Sequence, residues 1–413
     1  MLQPIKVTIE GDYWDCQIYR GRLYLWTFNG EVIVYNWDNL VDSIEVEENE
    51  RLAVTCALSR GDYLYNPNFY LLFENTEIKN ILRRQFETLS SKEIHYNEHQ
   101  ISKFLRGKQG LPTPELPIDT DFYKSNIYSA DQTGLYCITA HRSSKYQVST
   151  RPRKLWDCPL LSIKIGNRGN IAVSAGNEGL FEYLPDDFIT ENSVEQISKK
   201  HSSFSNWAFS SIYSSSFVDG SYLAPYFFDD SNMPESSKQK RNSFFEDDIP
   251  PNHFVSKEII QDSRIFGENT GLSWACNEKF YSYYDRKITI VNFIQGKLKD
   301  GDDSAFTDKR EITLSPWKGD VISTGTSYFG TIVECENAIV VLMSDGSSLT
   351  IPGKAVRWRT YPRSIRYENH LHIIKEDSIE IYSFNNDYFI DQRNKNYGIE
   401  YRAYNQSRMR WKP

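Results

Sequence analysis

Two histidines four residues apart, with a glutamate between them, form the sharpest chemical signal in this sequence: His95-Tyr96-Asn97-Glu98-His99. On a helix, imidazoles at i and i+4 share a face and could hold one zinc ion. Glu98 would then stand where it could activate a metal-bound water. Ser90 and Glu93, just upstream, form a capping-box pattern that predicts a helix through this segment, with Ile94, Ile101 and Leu105 as its apolar stripe. The competing reading is a solvated helix face, and no third ligand is legible nearby.

A second constellation interleaves arginines with rings: Arg357, Trp358, Arg359, Tyr361, Arg363, Arg366 and Tyr367, echoed by Arg408, Arg410 and Trp411. Guanidiniums can hold phosphates while rings stack bases. The same alternation arises when a strand packs its faces against neighbours, and that structural reading is preferred here. Arg357, Trp358, Arg359, Arg363 and Arg366 therefore stand first as candidate contacts for a protein partner. Arg83 and Arg84 on a predicted helix, and Phe244 and Phe245 in a polar stretch, join them. His370 and His372 alternate on one predicted strand, so they point to one face and read as ordinary strand histidines.

The composition narrows the function classes. With 47 basic and 55 acidic residues, the formal net charge of −8 argues against general nucleic-acid binding. The apolar run Ala338–Met343 is too short to span a bilayer, so no membrane partner is expected. The first residues lack the apolar core of a signal peptide. Six scattered cysteines, without a CxxC pair, fit free thiols in a reducing compartment, and a cytoplasmic location is expected. No cofactor is expected.

The elements that must position these residues are mostly strands. Aromatics make up 14% of the chain, with 27 Tyr and 23 Phe, and suit half-buried pleated surfaces. Leu23–Phe28 alternates, Asn29-Gly30 is a strong hairpin turn, and Val32–Tyr35 returns. Related hairpins centre on Glu178-Gly179, Asp285-Arg286, Asp345-Gly346 and Glu376-Asp377, with weaker ones at 136–148 and 207–226. Their recurrence implies four-stranded units of about 40–50 residues.

In period and turn chemistry the chain resembles the WD-repeat β-propellers. In that family a turn carries Asp-Gly and the third strand ends in Trp-Asp. Here that slot holds Tyr35-Asn36 followed by Trp37-Asp38, then Val291-Asn292 and Tyr382-Ser383, and the Gly-His dipeptide is absent. The resemblance implies an all-β fold: a single irregular propeller over 1–413, seven-bladed, with six or eight blades as alternatives. It carries no catalytic residues over. The five residues from His95 to His99 also resemble the H-x-x-E-H of inverted zinc peptidases, whose further acidic ligand comes from a downstream helix with no counterpart here.

Two stretches interrupt the β pattern. Ile78, Ile81, Leu82, Phe86 and Leu89 predict an amphipathic helix, and a helical pair is expected over 76–106 as an insertion between blades. Residues 229–256 read as a long polar loop. Together these features predict a protein–protein interaction module, a non-catalytic regulatory or scaffold subunit of a cytosolic complex. The alternatives are a metal-dependent hydrolase through His95, Glu98 and His99, and a nucleic-acid-binding propeller through 357–367.

Overall fold

Seven sheets, each built on an antiparallel set of four strands, make up the framework, and one of them adds a fifth, parallel strand. The computed structural model describes residues 2–66, 68–139, 152–166, 169–185, 193–216, 218–228, 254–256, 258–268, 270–300, 303–314, 319–391 and 395–400. Among these residues the sheets are the blades of a seven-bladed β-propeller, as the recurrent hairpins predict. Phe244 and Phe245, most of the 229–256 stretch and the basic tail from 401 lie outside the described residues.

The chain divides into two compact units, one holding Met1–Leu111 and Lys318–Pro413, the other Pro112–Arg142 and Ser149–Trp317. The second unit contains four blades, beginning at Asp119, Ser162, Phe204 and Leu272. Neighbouring blades within it are tied by side chains on their first strands. Asp119 Oδ2 accepts from the Ile163 amide at 3.1 Å, and Asp121 Oδ2 from the Ile165 amide at 2.9 Å. Trp207 Nε1 donates to the Lys164 carbonyl at 2.8 Å. A separate two-stranded ladder pairs Tyr226–Phe228 with Phe254–Ser256, so the last residues of the stretch read as a loop form a strand.

The first unit contains three blades. One runs Tyr13–Tyr19, Arg22–Thr27, Glu31–Asn36 and Leu105–Gly110. Another runs from Val321 to Pro352. The third is made from both ends of the chain: Arg357–Thr360, His370–Ile374 and Ser378–Ser383 are completed by Ile5–Glu10. The register there places Val7 opposite Ile381 and Ile9 opposite Ile379, all buried, so the apolar alternation of both segments selects the pairing.

The hairpin turns behave as their residues require. Asp285 and Arg286 both adopt positive φ (43° and 59°), the conformation of a two-residue turn whose twist suits a hairpin. Gly30 at φ 81° closes the turn after Thr27.

The helical segment differs from the expectation in place and content. It begins at Trp37 and lies inside the first blade, between its third and fourth strands, because Leu105–Gly110 pairs with Glu31–Asn36. Its helices are α1 (Trp37–Asp42), α2 (Arg51–Leu58), α3 (Tyr70–Phe73), α4 (Thr76–Ser90) and α5 (Glu98–Ser102). The side chain of Asn75 caps α4 by accepting from the Glu77 and Ile78 amides. Leu82, Phe86 and Leu89 form its buried stripe, each contributing about 1.5–3 kcal/mol of burial, while Ile81 faces out. Ser90 does not start a second helix: it ends α4, its hydroxyl donating back to the Glu87 carbonyl at 2.8 Å. No helix among the described residues is long and apolar enough to cross a membrane.

Candidate protein-interaction surface

The predicted zinc helix is not present as a helix. Ile94–Tyr96 is a strand, pairing in parallel with Val7–Ile9 as a fifth strand on the terminal blade. Ile94 is buried against that edge, so a period of two wins over the helical period. Asn97 then interrupts the chain and caps α5 in a reciprocal box with Gln100, leaving His95 outside the helix that contains His99. His95 Nε2 instead sits 3.1 Å from Glu10 Oε1 on the surface. Among the described residues, no group of three or more His, Cys, Asp or Glu is placed to hold a metal.

The arginine-aromatic strand is turned inward. Arg359 makes a two-pronged contact with the fully buried Asp15, Nε to Oδ1 at 3.0 Å and Nη2 to Oδ2 at 2.6 Å. Arg357 reaches the same Oδ2 at 3.2 Å and lies over the Trp14 ring at 5.2 Å. Trp358, on the opposite face, donates from Nε1 to Ser323 Oγ at 2.9 Å and Glu334 Oε2 at 3.0 Å. Arg363 and Arg366 follow on a half-buried turn, where the Arg366 carbonyl accepts from the Gly61 amide at 3.1 Å. The candidate contact residues of this strand are therefore mostly structural, as one-in-two alternation allows.

Arg83 and Arg84 project from α4 and are exposed. Arg83 stacks over the Phe389 ring at 4.6 Å, and Arg84 Nε bonds back to the Asn80 carbonyl at 3.3 Å. A feature that sequence reasoning missed lies on α3, which packs against α4, and on the turn before it. Phe69 is 45% exposed, Leu71 86% and Leu72 51%, with Ile81 on α4 exposed at 46%. Phe69-Tyr70-Leu71-Leu72-Phe73 is a run of five large apolar residues, a signal visible in the sequence but without periodicity to say which side faces water.

The surface is held firmly from beneath. Phe73 is buried, and its carbonyl accepts a hydrogen bond from the Tyr388 hydroxyl. Phe69 packs edge-on against both Tyr63 and Phe73, with ring centroids 6.5 and 6.4 Å apart. Lys92, just past the C-terminal end of α4, pairs with Glu50 at 2.6 Å. Arg51 donates to the carbonyls of Val41, Asp42 and Ile44, closing the C-terminal end of α1.

The C-terminal end of α2 is closed by α1 and by the terminal blade. The Leu58 carbonyl accepts from the buried Trp37 Nε1 at 2.6 Å. The Ala57 carbonyl accepts from His370 Nε2 at 2.9 Å, Ser383 Oγ at 2.8 Å and Asn369 Nδ2 at 3.1 Å. Carbonyls in the last turn of a helix lack partners within it, so these side chains satisfy what would otherwise be a buried cost. The insertion is thus a platform fixed by hydrogen bonds, presenting an apolar ridge. That arrangement suits surface recognition.

No protein-family model and no curated protein matches the sequence. Among solved structures, the chain is similar to the β-propeller domain of Cps50 (Swd1) from Myceliophteria thermophila, with 10% identity over 92% of this chain and 100% of that one, at a TM-score of 0.45. It is similar to the WD40 domain of Pan2 from Neurospora crassa, with 9% identity over 91% and 90% of the two chains and a TM-score of 0.47. BBS1N, solved in complex with ARL6DN, matches with 8% identity over 93% and 96%, also at 0.47. The likeness is one of fold alone.

Proposed function

We propose that this protein is a protein–protein interaction module, a non-catalytic regulatory or scaffold subunit of a larger cytoplasmic assembly, and that the insertion carries its contact surface. The observation behind this reading is the ridge of Phe69, Leu71 and Leu72, exposed on α3 and the turn before it, with Phe73 tied down beneath. Adjacent exposed apolar side chains on an ordered platform are what a partner would cover. The nucleic-acid alternative draws on Arg357 and Arg359, which Asp15 already engages. The hydrolase alternative needs one helix through His95 and His99, whereas α4 ends at Ser90 and His95 lies in a strand.

The test is affinity purification of the tagged protein from its native cell, comparing wild type with a Leu71→Asp/Leu72→Asp variant. A stoichiometric partner retained by wild type and lost from an equally stable variant supports the reading. A partner held equally by both places the contact elsewhere and overturns the assignment of this surface.

A further inference from the structure

Beneath the platform runs a chain of side-chain hydrogen bonds whose proton order is determined at one end. The Ala57 carbonyl can only accept, so His370 Nε2 carries the proton on the 2.9 Å contact. A neutral His370 then has a bare Nδ1, which accepts from His372 Nε2 at 3.4 Å. His372 Nδ1 is bare in turn and accepts from the Tyr361 hydroxyl at 3.1 Å and the Cys16 thiol at 3.5 Å. Both donors keep their protons through the neutral range, because burial pushes the thiol and the phenol well up.

We propose that this His370–His372 pair is a proton-operated latch, which when neutral holds the end of α2 on the terminal blade and when protonated lets α2 open locally. A second proton on His370 has to sit on Nδ1, facing the N–H of His372. Two donors and a positive charge would then meet in a site from which both rings exclude water entirely. The groups around them offer little compensation. His370 faces the rings of Trp37 and Tyr367, at 6.4 and 5.4 Å, and His372. His372 faces Cys16 and Tyr361. Asp15, next to Cys16, already holds Arg357 and Arg359, while Cys56 precedes Ala57 on α2 with its thiol pushed up by burial. Burial also drives His370 down to about 4 and His372 well below the ordinary histidine range.

The latch is independent of whether the apolar ridge binds a partner. It is tested by amide hydrogen exchange on the full chain between pH 7.5 and 4.5, corrected for intrinsic exchange. Opening of α2 is expected to rise towards about tenfold per pH unit for each proton taken up, while Ile332–Cys335 and Ile339–Met343 stay protected. His370→Gln, whose amide can donate to Ala57 but cannot titrate, should flatten that dependence. Equal loss of protection in helix and strands, or a wild-type pH profile in His370→Gln, overturns the proposal. Should that variant not fold, ring resonances of the wild type decide. A midpoint near 6.5 for both rings overturns the latch, and midpoints below about 5 that coincide with α2 opening support it.

Discussion

His370 Nε2 donates to the Ala57 carbonyl across 313 residues of sequence, joining the last turn of a helix in the insertion to the second strand of the terminal blade. One carbonyl there collects three side-chain donors. The consequence is that polar side chains of the blade fix where the C-terminal end of α2 sits.

Stability should fall as pH is lowered from about 6.5 towards 4. Histidines in the unfolded chain titrate near 6.5, whereas His370 in the folded protein titrates at about 4. Within that window the unfolded state holds more protons, so each histidine contributes a slope of up to about 1.4 kcal/mol per pH unit, and none above pH 7.5. Urea midpoints at pH 7.5, 6 and 5 measure it. A midpoint that rises on acidification contradicts the assignment.

Asp15→Ala should destabilise the protein by about 3–5 kcal/mol, because Arg359 would keep a buried charge without its carboxylate. Arg357→Ala should cost about 1 kcal/mol or less, as its side chain is partly solvated. A double replacement of Asp15 and Arg359 by apolar residues should recover much of the loss. Chemical denaturation of the three variants distinguishes this ion-pair account from simple loss of packing, which would give additive costs.

How much of this was legible follows from range in sequence. Gly30 and the Asp285-Arg286 pair were readable because their turns are local and need positive φ. The insertion's place was not, because Leu105–Gly110 carries no apolar alternation and finds its partner strand only through the folded backbone. Asp15 and Arg359 lie 344 residues apart, so no local pattern announces their pairing. His95 reads as helical in the sequence because three residues of period two are too short to compete with a five-residue helix motif. The His370 and His372 side chains do share a face, as their spacing requires, and the contact of His370 with Ala57, which His372 backs through His370, makes them more than ordinary strand residues.

Tyr213→Phe should cost about 1–3 kcal/mol at pH 7 and less near pH 4. In the second unit Asp262 is buried, which raises its titration, and it accepts from the Tyr213 hydroxyl and from Ser273 Oγ at 2.5 Å. A carboxyl whose folded value is raised loses stability as pH climbs through it, and removing a donor raises it further. Once Asp262 is protonated, the missing donor matters less. Paired denaturation curves at the two pH values test the sign. An equal cost at both would mean the ring's packing, and not its hydroxyl, dominates.

Two adjacent residues in α3 should differ several-fold in their response to substitution. Leu72→Asp should shift stability by no more than about 0.5 kcal/mol, because half of that side chain is already in water and little packing is lost. Phe73→Ala should cost about 3–5 kcal/mol, because its ring is buried and meets Phe69 edge-on. Thermal melts of the two variants read the difference directly. A large loss in Leu72→Asp would mean that the ridge is covered by the protein's own chain, and the surface would then not be available to a partner.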